Sequence, residues 1–262
     1  MKLTASAKLV YNFTGPTEVI GLIQASHSGD QTILSEELIL SPDAALVEDE
    51  DVRGDRRFRT CLSTETSIVY TATVDNGMRS LLPRSGRQHL WNELPPEALA
   101  YLLPSRFCPS DSFQRFAQRE FGSAGDGVSR VMSILEWIAA EVDYVAGVST
   151  PESSAAHTFT VRAGVCRDFT HLGITFCRAL SIPARAVSAY SLDVQPPDFH
   201  AVMEVYLENA WWLVDPTRLA PIEGIIRIAH GRDAADTAFL TTDKACTVVS
   251  QTVQVSRVDT AS

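Results

Sequence analysis

The chain has 262 residues, 45% of them hydrophobic and 21% charged, proportions that suit a soluble globular protein with a substantial core. Its formal net charge is −10, which argues against nucleic acid, since duplex binding is driven by neutralising phosphates with Lys and Arg, and against adsorption to anionic lipid. The opening Met1-Lys2-Leu3-Thr4-Ala5 lacks the apolar run of a signal peptide, and no stretch approaches membrane-spanning length.

From the N-terminus, residues 3–13 alternate, with Leu3, Ala5, Ala7, Leu9, Tyr11 and Phe13 on one face and Thr4, Ser6, Lys8 and Asn12 on the other. That period predicts a half-buried strand. Further strands are predicted over 19–25, 32–40, 57–62 and 67–74, the last with Ile68, Tyr70, Ala72 and Val74 in phase. Gly15-Pro16, Ser28-Gly29-Asp30, Ser41-Pro42-Asp43 and Gly54-Asp55 punctuate them, and short strands with regular turn signals suggest an antiparallel sandwich. The acidic run Glu48-Asp49-Glu50-Asp51 lacks the spaced carboxylates and glycine of a calcium loop, so a solvated loop is expected. Residues 80–95, rich in Arg, Pro and Gly, read as a linker between a domain over 1–85 and a second over 95–262.

Helical signals follow. Pro95–Leu103 is a short candidate, and Ser110 or Asp111 can cap a helix with Phe113, Phe116 and Ala117 on one side. The clearest helix spans Val128–Val142, with Val128, Val131, Leu135, Ile138 and Val142 at 3.6-residue spacing. After Gly164 a second apolar stripe, Phe169, Leu172, Phe176, Ala179 and Leu180, predicts a helix that ends at Ser181-Ile182-Pro183. Cys166 falls in its first turn, where unpaired amides and the positive end of the macrodipole favour an anionic sulfur and can receive an oxyanion. The five cysteines (61, 108, 166, 177 and 246) include no CxxC pair, so neither a zinc cage nor a disulfide framework is expected, and a reducing cytoplasm fits. Cys177, in the body of the same helix, is read as structural.

Residues 184–190 and 200–207 read as strands, and Glu208-Asn209 as a tight turn into 210–215, which Pro216 ends. With a two-residue loop, 207 faces 210 and 202 faces 215, so Asp215 lies diagonally across from His200 on one face. A three-residue loop would carry Asp215 to the other face. Cys166, His200 and Asp215 then supply a thiol, an imidazole and a carboxylate, the three parts of a cysteine nucleophile. The other histidines, at 27, 89, 157, 171 and 230, are read as structural; His171 lies about 140° around the helix from Cys166.

Four strings carry a family resemblance: 164–172 (GVCRDFTHL), 177–185 (CRALSIPAR), Asp198-Phe199-His200-Ala201, and 212–217 (WLVDPT). Together they closely resemble the bacterial transglutaminase-like superfamily, described as cysteine proteases with a papain-like core. The first 80 or so residues resemble its N-terminal sandwich, and 226–236 its C-terminal segment. The resemblance implies an α+β fold: an antiparallel β-sandwich followed by a papain-like transglutaminase core, with the cysteine-bearing helix packed on an antiparallel sheet. It implies Cys166 as nucleophile, His200 as general base and acid, and Asp215 as orienter of the imidazole. It offers Tyr144 as second oxyanion donor and Arg167 with Asp168 as an ion pair at the helix start. Arg232, Asp233 and Asp236 either edge the cleft or form a structural cluster. Neither the calcium sites of animal transglutaminases nor the zinc-binding cysteines of peptide glycanases are found, so no metal and no cofactor is expected. The expected chemistry is acyl transfer through a thioester on a peptide or protein substrate, with hydrolysis ahead of transfer to an amine. A non-catalytic binding module that retains the fold is the alternative from another class. The sandwich is expected to wall one side of the cleft, unless Tyr11 and Phe13 are plain core.

Overall fold

The computed structural model describes residues 1–125 and 127–258. Six strands come first: β1 (Lys2–Asn12), β2 (Thr17–Gly21), β3 (Thr32–Ser41), β4 (Val47–Glu50), β5 (Arg56–Leu62) and β6 (Thr66–Asp75). Helices α1 (Pro96–Leu99), α2 (Gln114–Phe121) and α3 (Gly127–Glu141) follow, then β7 (Asp143–Tyr144), α4 (Ala155–Val161), β8 (Ala163–Gly164) and α5 (Cys166–Ala179). The chain continues through β9 (Ala184–Ser191), β10 (Phe199–Leu207), β11 (Ala210–Val214), β12 (Ile225–Gly231), β13 (Leu240–Thr242) and β14 (Thr247–Arg257).

The alternation in β1 is the alternation of its burial: Leu3, Ala5, Ala7 and Leu9 are buried, while Lys2, Lys8 and Asn12 are exposed. One sheet of the sandwich runs β14-β1-β6-β3 and the other β13-β2-β5-β4. Their inner faces, among them Leu3, Leu9, Ile68 and Tyr70 with Val19, Phe58 and Leu62, share one core. Each such fully buried side chain contributes roughly 1.5–3 kcal/mol of transfer free energy.

The acidic run is not a loop. Its first three residues lie in β4, which sets Asp49 opposite Arg57 and Glu50 opposite Arg56 on β5. Asp49 also reaches Arg59 at 3.0 Å, and Asp51 reaches Arg53 at 2.6 Å. Each carboxylate has its own partner: Asp49 and Asp51 pair with arginines that follow them, Glu48 accepts from Gln24 at 2.8 Å, and Glu50 meets His27 at 2.7 Å.

The expected division assigned everything beyond residue 95 to a second domain, and the end of the chain departs from it. β13 pairs with β2, and β14 pairs with β1 from Leu3↔Arg257 to Asn12↔Thr247, so both strands complete the first sandwich. β14 is an edge strand that buries Val253 and leaves Val248 and Val249 exposed, so its sequence carries little alternation to read. The sandwich core also runs on into the second half, where Tyr190, Leu192, Phe199, Ile226 and Ile228 join it. The Tyr190 hydroxyl donates to Ile23 O at 2.6 Å across that junction.

The third sheet, β11-β10-β9-β12, is antiparallel throughout. α5 packs on one face of it through a core that includes Leu172, Phe176, Ala186, Met203 and Val205. Outside α5, the rings of Phe116, Phe121, Trp137 and Phe159 gather around Phe176. Phe159 belongs to α4, a helix of seven residues that is too short to show a period in the sequence. Arg178, near the end of α5, is buried and donates to Ala184 O (2.9 Å), Leu103 O (3.0 Å) and Arg232 O (2.6 Å), tying helix, sheet and loops together. Among the described residues no helix is long and apolar enough to cross a membrane.

Candidate active site

The start of α5 is fixed before Cys166 has any partner. Gly164 has no room for a side chain: a Cβ there would lie 2.6 Å from the Asp168 Cβ. The buried Asp168 carboxylate accepts from Val165 N at 2.8 Å and pairs with Arg167 Nη2 at 3.2 Å. Arg167 Nη2 also donates to Thr150 O at 2.6 Å. Arg167 and Asp168 are thus the ion pair that the sequence suggested, and it caps the helix on which Cys166 is the first residue. Cys166 is neither buried nor fully exposed.

β10 and β11 pair with Leu207 opposite Ala210 and Met203 opposite Val214, the register of a two-residue loop. Glu208 and Asn209 both adopt positive φ, 50° and 61°, as the turn that suits a twisted hairpin requires. Asp215 therefore emerges on the face of His200. His200 Nε2 donates to Asp215 Oδ2 at 3.0 Å. The rest of the carboxylate is occupied too: Oδ1 accepts from Thr217 N (2.9 Å) and Thr217 Oγ1 (2.7 Å), and Oδ2 from Ala220 N (3.0 Å). Burial works against the Asp215 anion, but these donors, His200 foremost, hold its pKa below the usual carboxylate value. Burial likewise disfavours the His200 imidazolium, yet Asp215 and then Cys166 outweigh it and hold its pKa up at about 10. Nδ1 of the same ring is buried and makes no hydrogen bond.

Tyr144 pairs across a short parallel ladder with Gly164, which lies two residues before Cys166. Tyr144 is half-exposed, and burial followed by the nearby Cys166 pushes its pKa up to about 12. It remains a donor over the whole neutral range.

Other candidates lie elsewhere. His171 is buried, accepts from Ala234 N at 3.1 Å and stacks on Phe107 at 5.1 Å, and burial pushes its pKa down to about 4. It stays neutral and braces the cleft wall from behind. Arg232 grips Asp236 with two donors, at 2.9 and 3.0 Å, and Asp233 accepts from Phe107 N (2.8 Å) and Ala235 N (2.9 Å). These three build the turn whose Ala234, Ala235 and Thr237 line the cleft. Cys108 and Cys177 are fully buried, which pushes both thiols up to about 12.

Cys166 and His200 open into a cleft of about 550 Å³. The first sandwich supplies part of its wall through Tyr11, Leu240, Thr241 and Gln251, while Phe13 is core. Phe199 and Phe239, stacked at 4.0 Å, line the cleft, and so do Arg106, Phe107 and Pro151. Arg106, Phe239 and Gln251 carry no local sequence signal. They become visible only when the chain's last strands return to β1 and β2.

The family model of the transglutaminase-like superfamily matches residues 114–216, and that of the bacterial transglutaminase N-terminal domain matches residues 1–85. A "putative cysteine protease" from Cytophaga hutchinsonii, of known crystal structure, is 38% identical, with a TM-score of 0.96 over 100% of this chain and 92% of that one. The uncharacterized protein ML0607 of Mycobacterium leprae is 27% identical over 194 residues, 68% of this chain and 67% of that protein. The periplasmic domain of TgpA from Pseudomonas aeruginosa is 17% identical, with a TM-score of 0.44 over 82% of this chain and 77% of that one.

Proposed function

The chain belongs to the transglutaminase-like superfamily, and from that premise we propose that it is a cysteine-dependent acyl-transfer enzyme that hydrolyses amide bonds in peptides or proteins. The observation that carries this reading is the buried His200–Asp215 pair, 3.0 Å apart, whose ring keeps Nδ1 unengaged in the cleft that also holds Cys166. Asp215 fixes the ring through Nε2, which leaves Nδ1 to take the thiol proton. The sulfur attacks the amide carbonyl and forms a C–S bond. The oxygen then carries negative charge, which the Cys166 amide at the helix start and the Tyr144 hydroxyl would receive as donors. Collapse breaks the C–N bond, and His200 gives its proton to the leaving amine. Water, deprotonated by His200, attacks the thioester and releases the acid with the thiol restored.

Hydrolysis is favoured over amine transfer on the polar side chains in the cleft lining (Arg106, Thr237, Thr241 and Gln251), which would suit water as the acceptor. Dimethylated casein incubated with monodansylcadaverine tests this directly. Hydrolysis predicts new amino termini or free ammonia, dependent on Cys166, with no dansyl label on the protein. Cys166-dependent dansyl incorporation would overturn it.

A further inference from the structure

The charges of the cleft run against those of the chain. The chain carries a net −10, yet apart from His200 and Cys166 the charged side chains lining the cleft are Arg106 and Arg167, with no carboxylate among them. Arg167 is engaged by Thr150 O and Asp168. Of the carboxylates just outside the lining, Asp236 is ion-paired with Arg232, whereas Asp233 accepts from two backbone amides and Asp198 from the neutral Gln251 at 2.6 Å. Arg106 is exposed and forms no ion pair among the described residues; its guanidinium lies 4.9 Å from the centre of the Phe107 ring.

The backbone under Arg106 is held on both sides. Ser105 and Cys108 exchange backbone hydrogen bonds at 3.1 and 3.2 Å, and Arg178 donates to Leu103 O and to Ser105 Oγ at 3.0 Å. Phe107 N donates to Asp233, and Phe107 O accepts from Ala155 N at 2.9 Å. The Phe107 ring stacks on His171 with an interplanar angle of 6°. The loop is therefore ordered before any ligand arrives, and only the guanidinium head is free. A guanidinium presents a permanently charged planar fork that matches a carboxylate. Tyr11, Phe199 and Phe239, which also line the cleft, carry no charge.

We propose that Arg106 is a specificity-determining residue that binds a carboxylate of the substrate, so that the amide hydrolysed belongs to an acidic peptide. The proposal rests on Cys166 being the nucleophile, and the test separates the two. Cys166 is alkylated in parallel with iodoacetate, which carries a carboxylate, and iodoacetamide, which does not, and each site is read by mass spectrometry. The iodoacetate-to-iodoacetamide rate ratio at Cys166 should fall about threefold or more in Arg106→Gln, the loss expected for one partly screened charge, and further in Arg106→Glu. Arg119→Gln, the same charge change at an exposed site on α2, should leave the ratio as it is in the wild-type protein. An unchanged ratio in Arg106→Gln and Arg106→Glu, with Cys166 still reacting, overturns the role of Arg106 and leaves the nucleophile standing. Absence of reaction at Cys166 with either reagent overturns the nucleophile and the proposal with it. Protection from iodoacetamide identifies the source of the carboxylate: N-acetylglutamate α-amide reports a side chain, N-acetylglutamine a chain terminus. Equal protection by N-acetylglutamine amide, which has neither, contradicts the proposal.

Discussion

At the scale of single residues, the account turns on how His200 is charged. Its folded pKa of about 10 lies above the ordinary imidazole value, so binding a proton stabilises the fold. That contribution is fully present below about pH 6.5 and is lost as pH rises toward the folded value. Urea unfolding of the wild-type protein and His200→Gln should therefore give a stability difference that shrinks between pH 6.5 and 10. A difference that stays constant over that range would contradict the charged ring. Asp215→Asn removes the largest support of the imidazolium and its orienting acceptor together. The alkaline limb of kcat/KM should move to lower pH by at least a unit, and kcat should fall on the order of a thousandfold or more. Loss of activity with an unmoved limb would mean that Asp215 orients the ring without setting its charge.

At the scale of elements, the start of α5 and the β10–β11 hairpin position the chemistry. Gly164→Ala places a Cβ 2.6 Å from the Asp168 Cβ, so Asp168 must leave its cap on Val165 N. Thermal unfolding should show a loss of about 1–3 kcal/mol, and Cys166 should be alkylated more slowly than in the wild-type protein. These two elements were the most legible in the sequence, for a physical reason. The stripe from Phe169 to Leu180 has the helical period, and Glu208-Asn209 can occupy left-handed backbone, so the side-chain period of two brings Asp215 to the face of His200. The acidic run reads as a loop because its partners, Arg57 and Arg59 on β5 and Gln24 and His27 before it, lie elsewhere in the chain, and one segment's composition does not show that. α4 and the two-residue strands β7 and β8 are too short for a period, yet that ladder sets Tyr144 beside Gly164.

At the scale of the molecule, the chain begins and ends in the same sandwich. β14 covers one edge of β1 along nearly its whole length, and Val253 is buried in the shared core. A chain ending at residue 239 should lose the edge, the Val253 contact and the cleft residues Leu240, Thr241 and Gln251 together. Differential scanning calorimetry should then show a clearly lowered or absent transition; an unchanged melting temperature would make the two strands an appendage. This return was invisible in the sequence because an edge strand with one buried face resembles a polar tail. It also explains why Arg106 and Phe239 carry no signal in the sequence, since the cleft they line exists only once both ends have met. The central claim remains that this scaffold activates one of five cysteines. The most direct measurement is the site-resolved rate of iodoacetamide alkylation at pH 6 across the whole protein. Cys166 should react well ahead of the exposed Cys61 and lose that lead in His200→Ala. Equal rates at Cys61 and Cys166, or a lead that survives the loss of His200, would contradict the account.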